Sequence, residues 1–84
     1  MTRGLTARGV KTMLTRSGVA TADLAITDQV ETVQRIDVDY VGPWVTRNSV
    51  IITGEREARR PASGALFERG FACAPYPDHD FWTR

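Results

Sequence analysis

The chain has almost none of the residues from which metal and redox sites are built. It contains one cysteine, Cys73, and one histidine, His79, in 84 residues. A single cysteine excludes an internal disulfide and a cysteine-based zinc cage. The uninterrupted apolar runs, such as Val50-Ile51-Ile52 and the four residues Phe71–Ala74, are far shorter than a membrane span or a signal-peptide core. We therefore expect a cytoplasmic protein with no membrane anchor, no targeting segment and no cofactor.

The chain also lacks an excess of charge of either sign. Eleven Lys and Arg residues against ten Asp and Glu residues give a formal net charge of +1 at pH 7. Binding to nucleic acid or to an anionic membrane would therefore need a local patch. Lysine is nearly absent as well, since Lys11 is the only one and the other basic residues are arginine. We attribute this bias to a GC-rich genome of actinobacterial or actinophage type.

What is present is typical of a small globular protein. The composition is 42% hydrophobic and 25% charged, in the range of chains that fold. A chain of 84 residues buries one core and leaves little room for a deep pocket beside it. We predict a single domain over 1–84, with 70–84 as an extended tail.

Two segments have the spacing of amphipathic helices. The first begins near Thr2 or Thr6, either of which would cap it, and ends at Gly18. The second ends at Gly70, and we expect it to be continuous but bent at Pro61. Each glycine is followed by a hydrophobic residue, which is typical of a left-handed helix stop.

Alternating residues between the helices predict three strands. The first is short, over Leu24–Thr27. The second has charged residues on one face, a bulge or an edge position at Gly42–Pro43, and apolar residues that we expect to face the core. Those apolar residues are Ile36, Val38 and Tyr40. Arg47–Asn48 predicts a two-residue turn into the third strand, over 50–53.

The predicted fold is α+β with the order α-β-β-β-α. The strands form a three-stranded antiparallel meander, and both helices pack on its apolar face. The C-terminal segment is too rich in proline for a helix, so we expect it to be extended.

Large aromatic residues at loop-like positions are the first candidate binding site. They are Trp44, Tyr76, Phe81 and Trp82. Aromatic residues are enriched where proteins bind one another, so these four predict a surface for a host or cellular protein. For Trp82 a second role, closing the core from the tail, remains open.

A basic cluster opens the second predicted helix. Arg56, Arg59 and Arg60 fall on neighbouring parts of a helix surface, where they could contact phosphates. Glu55 and Glu57 are interleaved with them and largely neutralise the cluster. The cluster is therefore the candidate site for an alternative function, nucleic-acid binding.

Two clusters of acidic residues are candidates for catalysis or metal binding. Asp78-His79-Asp80 places an imidazole between two carboxylates, but it lies in the tail without a nucleophile. Asp37 and Asp39 would share a face of one strand without a third ligand for a cation. We therefore expect no catalytic residue and no metal site, and we predict that the protein is not an enzyme.

Two resemblances extend this interpretation. The order α-β-β-β-α with basic residues opening the second helix resembles double-stranded-RNA-binding domains, which implies phosphate contacts from Arg56, Arg59 and Arg60. The segments Gly42-Pro43-Trp44, Val50–Gly54 and Pro75–Asp78 resemble small proteins of actinobacteriophages and their hosts. That second resemblance implies binding to a host protein. Our leading hypothesis is a non-enzymatic protein-interaction module, and the oligomeric state is open.

Overall fold

A computed structural model describes residues 5–84, which form two helices and four strands. The elements are α1 (Ala7–Arg16), β1 (Ala25–Asp37), β2 (Tyr40–Thr53), α2 (Arg56–Glu68), β3 (Ala72–Pro75) and β4 (His79–Thr83). The strands form one antiparallel sheet in the order β1-β2-β4-β3. The predicted α+β class, with two helices and an antiparallel sheet, is confirmed.

The capping signals of α1 are confirmed. Thr6 is the N-cap, and its hydroxyl oxygen accepts a hydrogen bond from the Gly9 N–H at 3.1 Å. Asp28 of β1 accepts another from the Ala7 N–H at 2.6 Å, which ties the start of the helix to the sheet. Gly18 follows the helix with a φ of 78°, the left-handed conformation that favours glycine. The other predicted cap, Thr2, lies outside the described residues.

Helix α2 runs continuously through Pro61, as predicted, and ends before Gly70 at a φ of 84°. Its first residues sit close to the end of β2, because only Gly54 and Glu55 separate the two elements. A Cβ atom on Gly54 would lie 2.9 Å from the carbonyl oxygen of Asp23, so the tight strand-to-helix turn requires a glycine.

The strand bounds between the helices differ from the prediction. Two long strands are present where three were expected, and they form one hairpin that turns at Val38–Asp39. The predicted turn at Arg47–Asn48 is wrong, since both residues lie inside β2 opposite Val30 and Glu31. The predicted bulge is confirmed, because the pairing shifts by one residue beyond Gln34↔Trp44.

The predicted extended tail is instead part of the sheet. Residues 72–83 form a second hairpin, and β4 inserts between β2 and β3. Pro75 ends the edge strand β3, where a missing N–H breaks no pairing. The Tyr76 N–H donates to the His79 carbonyl oxygen at 2.9 Å and closes the turn. The segment is extended, as expected, but its backbone is paired.

The core lies between the two helices and one face of the sheet. Its buried apolar residues are Leu5, Val10, Leu14, Val50, Ile52, Ala62, Leu66 and Trp82. Trp82 is fully buried and meets Phe67 edge to face, with ring centroids 5.0 Å apart. Every core side chain of the sheet comes from the half of the β1–β2 hairpin nearest the helices or from β4.

Candidate functional site

The far half of the β1–β2 hairpin projects from the domain. Strand β4 pairs with β2 only over residues 50–53, so 40–49 of β2 have β1 as their one strand neighbour within 5–84. We call residues 29–48 the arm and the remaining described residues the base. Nine residues per strand extend the arm by about 30 Å, and the molecule is elongated, measuring 48 × 27 × 20 Å.

Exposed apolar side chains are concentrated on the arm. Of the nine large hydrophobic residues exposed within 5–84, seven lie there. They are Val30, Ile36, Val38, Tyr40, Val41, Trp44 and Val45. Single exposed hydrophobic residues are ordinary on protein surfaces, whereas a group of them on one projecting element makes the arm the candidate binding surface.

The prediction that Ile36, Val38 and Tyr40 face the core is therefore wrong. Ile36 is 67% exposed and Val38, at the turn, is 100% exposed. The alternation of side chains correctly predicts a strand. However, residues 36–40 lie at the Val38–Asp39 turn of the hairpin, where neither helix covers them.

The arm has two different faces. Counting in steps of two from the core residues Val50 and Ile52, the helix-side face carries Trp44 and its partner Gln34. Beyond the bulge, the pair Ile36 and Val41 continues that face. The opposite, open face carries the pair Val33 and Val45. Both faces thus present apolar side chains beyond the end of the helix layer.

A side-chain hydrogen bond holds the bulge. The Gln34 amide donates to the Gly42 carbonyl oxygen at 2.8 Å. Gly42 is buried beneath the Tyr40 ring, and a Cβ atom there would approach both that ring and the Arg35 carbonyl oxygen at 3.2 Å. These contacts join the bulged segment of β2 to Gln34 and Arg35 of β1.

Charges on the arm are mixed. Glu31, Asp37 and Asp39 oppose Arg35 and Arg47. Glu31 lies directly across from Arg47 in the hairpin, and Arg35 forms an exposed ion pair with Asp37 at 3.5 Å. A surface with a slight excess of acid does not suit phosphate backbones.

The four aromatic residues predicted as a partner site do not form one surface. Trp44 is 68% exposed on the helix-side face of the arm, whereas Trp82 is 0% exposed in the core. The open question about Trp82 is thus decided for the core, and its assignment as a partner-binding residue is wrong. Tyr76 is exposed at the β3–β4 turn, where it stacks on His79 at 4.6 Å.

Phe81 lies where the arm joins the base. It pairs with Ile51 and is half-buried on the open face. With Val45, Arg47 and Arg84 it lines an open groove of about 590 Å³. Phe81 therefore extends the open apolar face of the arm onto the base, while Trp44 faces the other way.

The basic cluster is divided by burial. Arg56 and Arg60 are exposed, and Arg60 pairs with Glu57 at 3.5 Å. Arg59 is buried, and its Nη1 donates to Asp80 Oδ1 at 2.8 Å. The prediction of Arg59 as a surface contact to phosphate is therefore wrong.

The Asp78-His79-Asp80 segment is divided in the same way. Asp80 is buried on the helix side, where Ser63 also donates to it at 3.3 Å. His79 and Asp78 lie outside, 2.7 Å apart between Nδ1 and Oδ1. The hydrogen bond from His79 lowers the pKa of Asp78. The imidazole therefore contacts the Asp78 carboxylate alone, while the Asp80 carboxylate contacts Arg59 and Ser63 on the helix side.

Comparison of the chain with protein families, curated proteins and solved structures finds no match. Neither helix within residues 5–84 has the length and apolar character needed to cross a membrane. Over the same residues, no three His, Cys, Asp or Glu side chains come together in a metal-binding group.

The residues that sequence reasoning missed are the valines of the arm. Val30, Val33, Val41 and Val45 lie outside the predicted binding surface, because valine in a strand usually indicates core. One signal was available in the sequence. Of the 29 residues from Ala25 to Thr53, 16 are β-branched or aromatic, and a strand-forming segment of this length is longer than two short helices can cover.

Proposed function

We propose that the protein is a non-enzymatic protein-interaction module and that the arm is its binding element. The observation that carries this proposal is the placement of seven of the nine exposed large hydrophobic side chains on the arm. Projecting apolar surface is costly to leave in water, and covering it with a partner protein recovers that cost.

The chemistry of the arm supports a protein rather than a nucleic acid as the ligand. Trp44 and Tyr40 are residue types that dominate binding energy at protein interfaces. The free backbone groups of an edge strand add a second mode of binding, in which a partner extends the sheet. Nucleic-acid binding through α2 is the alternative function from the sequence. One of its three predicted contacts, Arg59, is buried and therefore not on the surface of α2. A host protein remains the partner class that the resemblance to phage proteins implies.

Site-specific photocrosslinking tests the proposal. A benzophenone amino acid replaces Trp44 on the arm in one variant and Phe67 in the control, an exposed aromatic residue of the base. We expect a discrete protein adduct from position 44 and none from position 67, in purified protein or in an actinobacterial lysate. Equal labelling from both positions, or no adduct from either, would overturn the assignment of the arm.

A further inference from the structure

The arm has two strand edges, and they differ in their ability to accept another strand. The edge of β2 contains the Gly42–Pro43 bulge, and proline offers no N–H to a neighbour. The edge of β1 has no proline, glycine or lysine in 13 residues. Edge strands are usually protected by such residues or by bulges. The β1 edge therefore lacks three of these devices, namely proline, lysine and a bulge, and its remaining protection is its charged side chains.

The bulge leaves β1 regular. Between the pairs Gln34↔Trp44 and Ile36↔Val41, β1 advances by two residues and β2 by three. The extra residue thus belongs to β2, and β1 keeps an uninterrupted alternation from Ala25 to Asp37. Within residues 5–84, β1 is the end strand of the sheet and pairs only with β2.

The sequence of β1 is self-complementary around Val33. If two copies of β1 run antiparallel with a two-fold axis at Val33, Glu31 of each lies opposite Arg35 of the other. Directly opposed unlike charges stabilise a strand pair, and like charges destabilise it. Arg47 already flanks Glu31 within the hairpin, so Glu31 would lie between two arginines.

The apolar residues match in the same register. Val30 lies opposite Ile36 of the second copy, which extends the pair Ile36–Val41 of that copy into a row of three. On the open face, Val33 meets Val33, and each is already paired with Val45. Four valines therefore form one row across the four central strands, and side chains that are exposed on one arm gain neighbours.

Neighbouring registers lose this match. With the axis one residue earlier, at Thr32, Val30 lies opposite Gln34 and Glu31 opposite Val33. With the axis at Gln34, Glu31 meets Asp37 and Val33 meets Arg35. Only the axis at Val33 pairs unlike charges and apolar residues together, and register is set by such matches.

From these observations we infer that the partner of the β1 edge is a second copy of this chain, bound antiparallel about a two-fold axis at Val33. The inference rests on the proposed function, because it assigns one edge of the arm, that of β1, to a second copy of the chain. A two-fold axis perpendicular to the sheet joins two four-stranded sheets into one of eight strands, with all helices on the same side.

A charge exchange tests the pairing. In a dimer of Glu31→Arg chains, the new arginine of each copy lies opposite Arg35 of the other. In a dimer of Arg35→Glu chains, the new glutamate of each copy lies opposite Glu31 of the other. Each variant should therefore dimerise about 10-fold or more weakly. An equimolar mixture restores an unlike pair at both positions, so dimers should return in the mixture alone. Sedimentation velocity over a concentration series measures the dissociation constants. Circular dichroism melts check folding, and the mixture provides a second control because it contains the same two chains.

Cysteine crosslinking tests the register. In a Cys73→Ser background, Val33→Cys places two thiols directly opposite each other at the axis, and mild oxidation should join the copies. Val30→Cys is the matched control, because residue 30 faces residue 36 of the other copy and not itself. We expect a covalent dimer from position 33 and far less from position 30.

The outcomes separate this inference from the proposed function. A wild-type chain that stays monomeric up to about 1 mM, a Kd worth only about 4 kcal/mol, would overturn the dimer. The photocrosslink at position 44 would then still decide whether the arm binds another protein. A dimer that is insensitive to both charge variants, or that crosslinks equally at positions 30 and 33, would overturn the β1 register.

Discussion

The β1–β2 hairpin runs through both the base and the arm, but its side chains have different surroundings in the two parts. In the base, β1 and β2 lie beneath two helices, and alternate side chains such as Val50 and Ile52 are fully buried. In the arm the same strands continue with the same alternation, but both faces are open to solvent. The difference shows that strand pattern alone does not say whether an apolar residue is core or surface.

The base is also where the buried polar contacts lie. Arg59 donates through Nε to the Gly54 carbonyl oxygen at 2.9 Å and through Nη2 to that of Pro77 at 3.0 Å. Its ion pair with Asp80 joins α2 to β4. The Arg59 side chain thus connects the β2–α2 turn, the β3–β4 turn and strand β4. The described arm residues contribute no buried ion pair.

The largest expected effect comes from placing the same charge on the two parts. Ile52→Asp buries an unpaired carboxylate in the core, which costs several kcal/mol, and the whole domain is worth on the order of 5–10 kcal/mol. We expect this variant not to fold. Ile36→Asp, on the arm, should change the free energy of unfolding of the dilute monomer by less than about 0.5 kcal/mol. Urea titrations followed by circular dichroism measure both, and equal losses would mean that the arm is packed.

The sequence predicted the ends of the elements better than their partners. Thr6, Gly18 and Gly70 are local signals, because a cap or a left-handed residue needs only its own neighbours. The hairpin turn at Val38–Asp39 gave no such signal. Apart from three glycines, every described residue has a negative φ, so this turn needs neither Gly nor Asn. The turn was predicted at Asn48 because asparagine tolerates a positive φ. That prediction is wrong, because the turn that forms has no positive φ and Asn48 lies inside β2.

The candidate site could be predicted only in part. Trp44 is a predicted binding residue because it is a large aromatic at a loop-like position, and in the structure its side chain is 68% exposed. The burial of Arg59 and Trp82 depends on β4 inserting beside β2, and such long-range pairing leaves no periodic trace in 15 tail residues. The self-complementarity of β1 was present in the sequence but had no meaning until β1 was known to be an edge.

A smaller effect is expected from breaking the polar contact of the base. Arg59→Ala leaves Asp80 buried without its charge partner and should cost about 3–5 kcal/mol of unfolding free energy. The adjacent Arg60→Ala removes only an exposed pair with Glu57 and should cost less than about 0.5 kcal/mol. Urea midpoints of the two variants provide the comparison. A phosphate-binding role for the cluster would instead leave both stabilities unchanged.

The smallest expected effect compares the reactivity of one thiol on each part. Cys73 is half-buried on β3 opposite Trp82. Burial, followed by the negative charge of Asp80, raises the pKa of its thiol, although the Arg59 guanidinium acts in the opposite direction. Because only the thiolate reacts, a raised pKa lowers the reactive fraction at every pH below that pKa.

Val45→Cys in a Cys73→Ser background places a thiol on the exposed arm instead. We expect iodoacetamide at pH 7.5 to modify position 45 severalfold faster than Cys73, and the rate profile of Cys73 to rise at higher pH. Equal rates and equal profiles would show that β3 opens readily, and the base would then not be the closed half of the molecule.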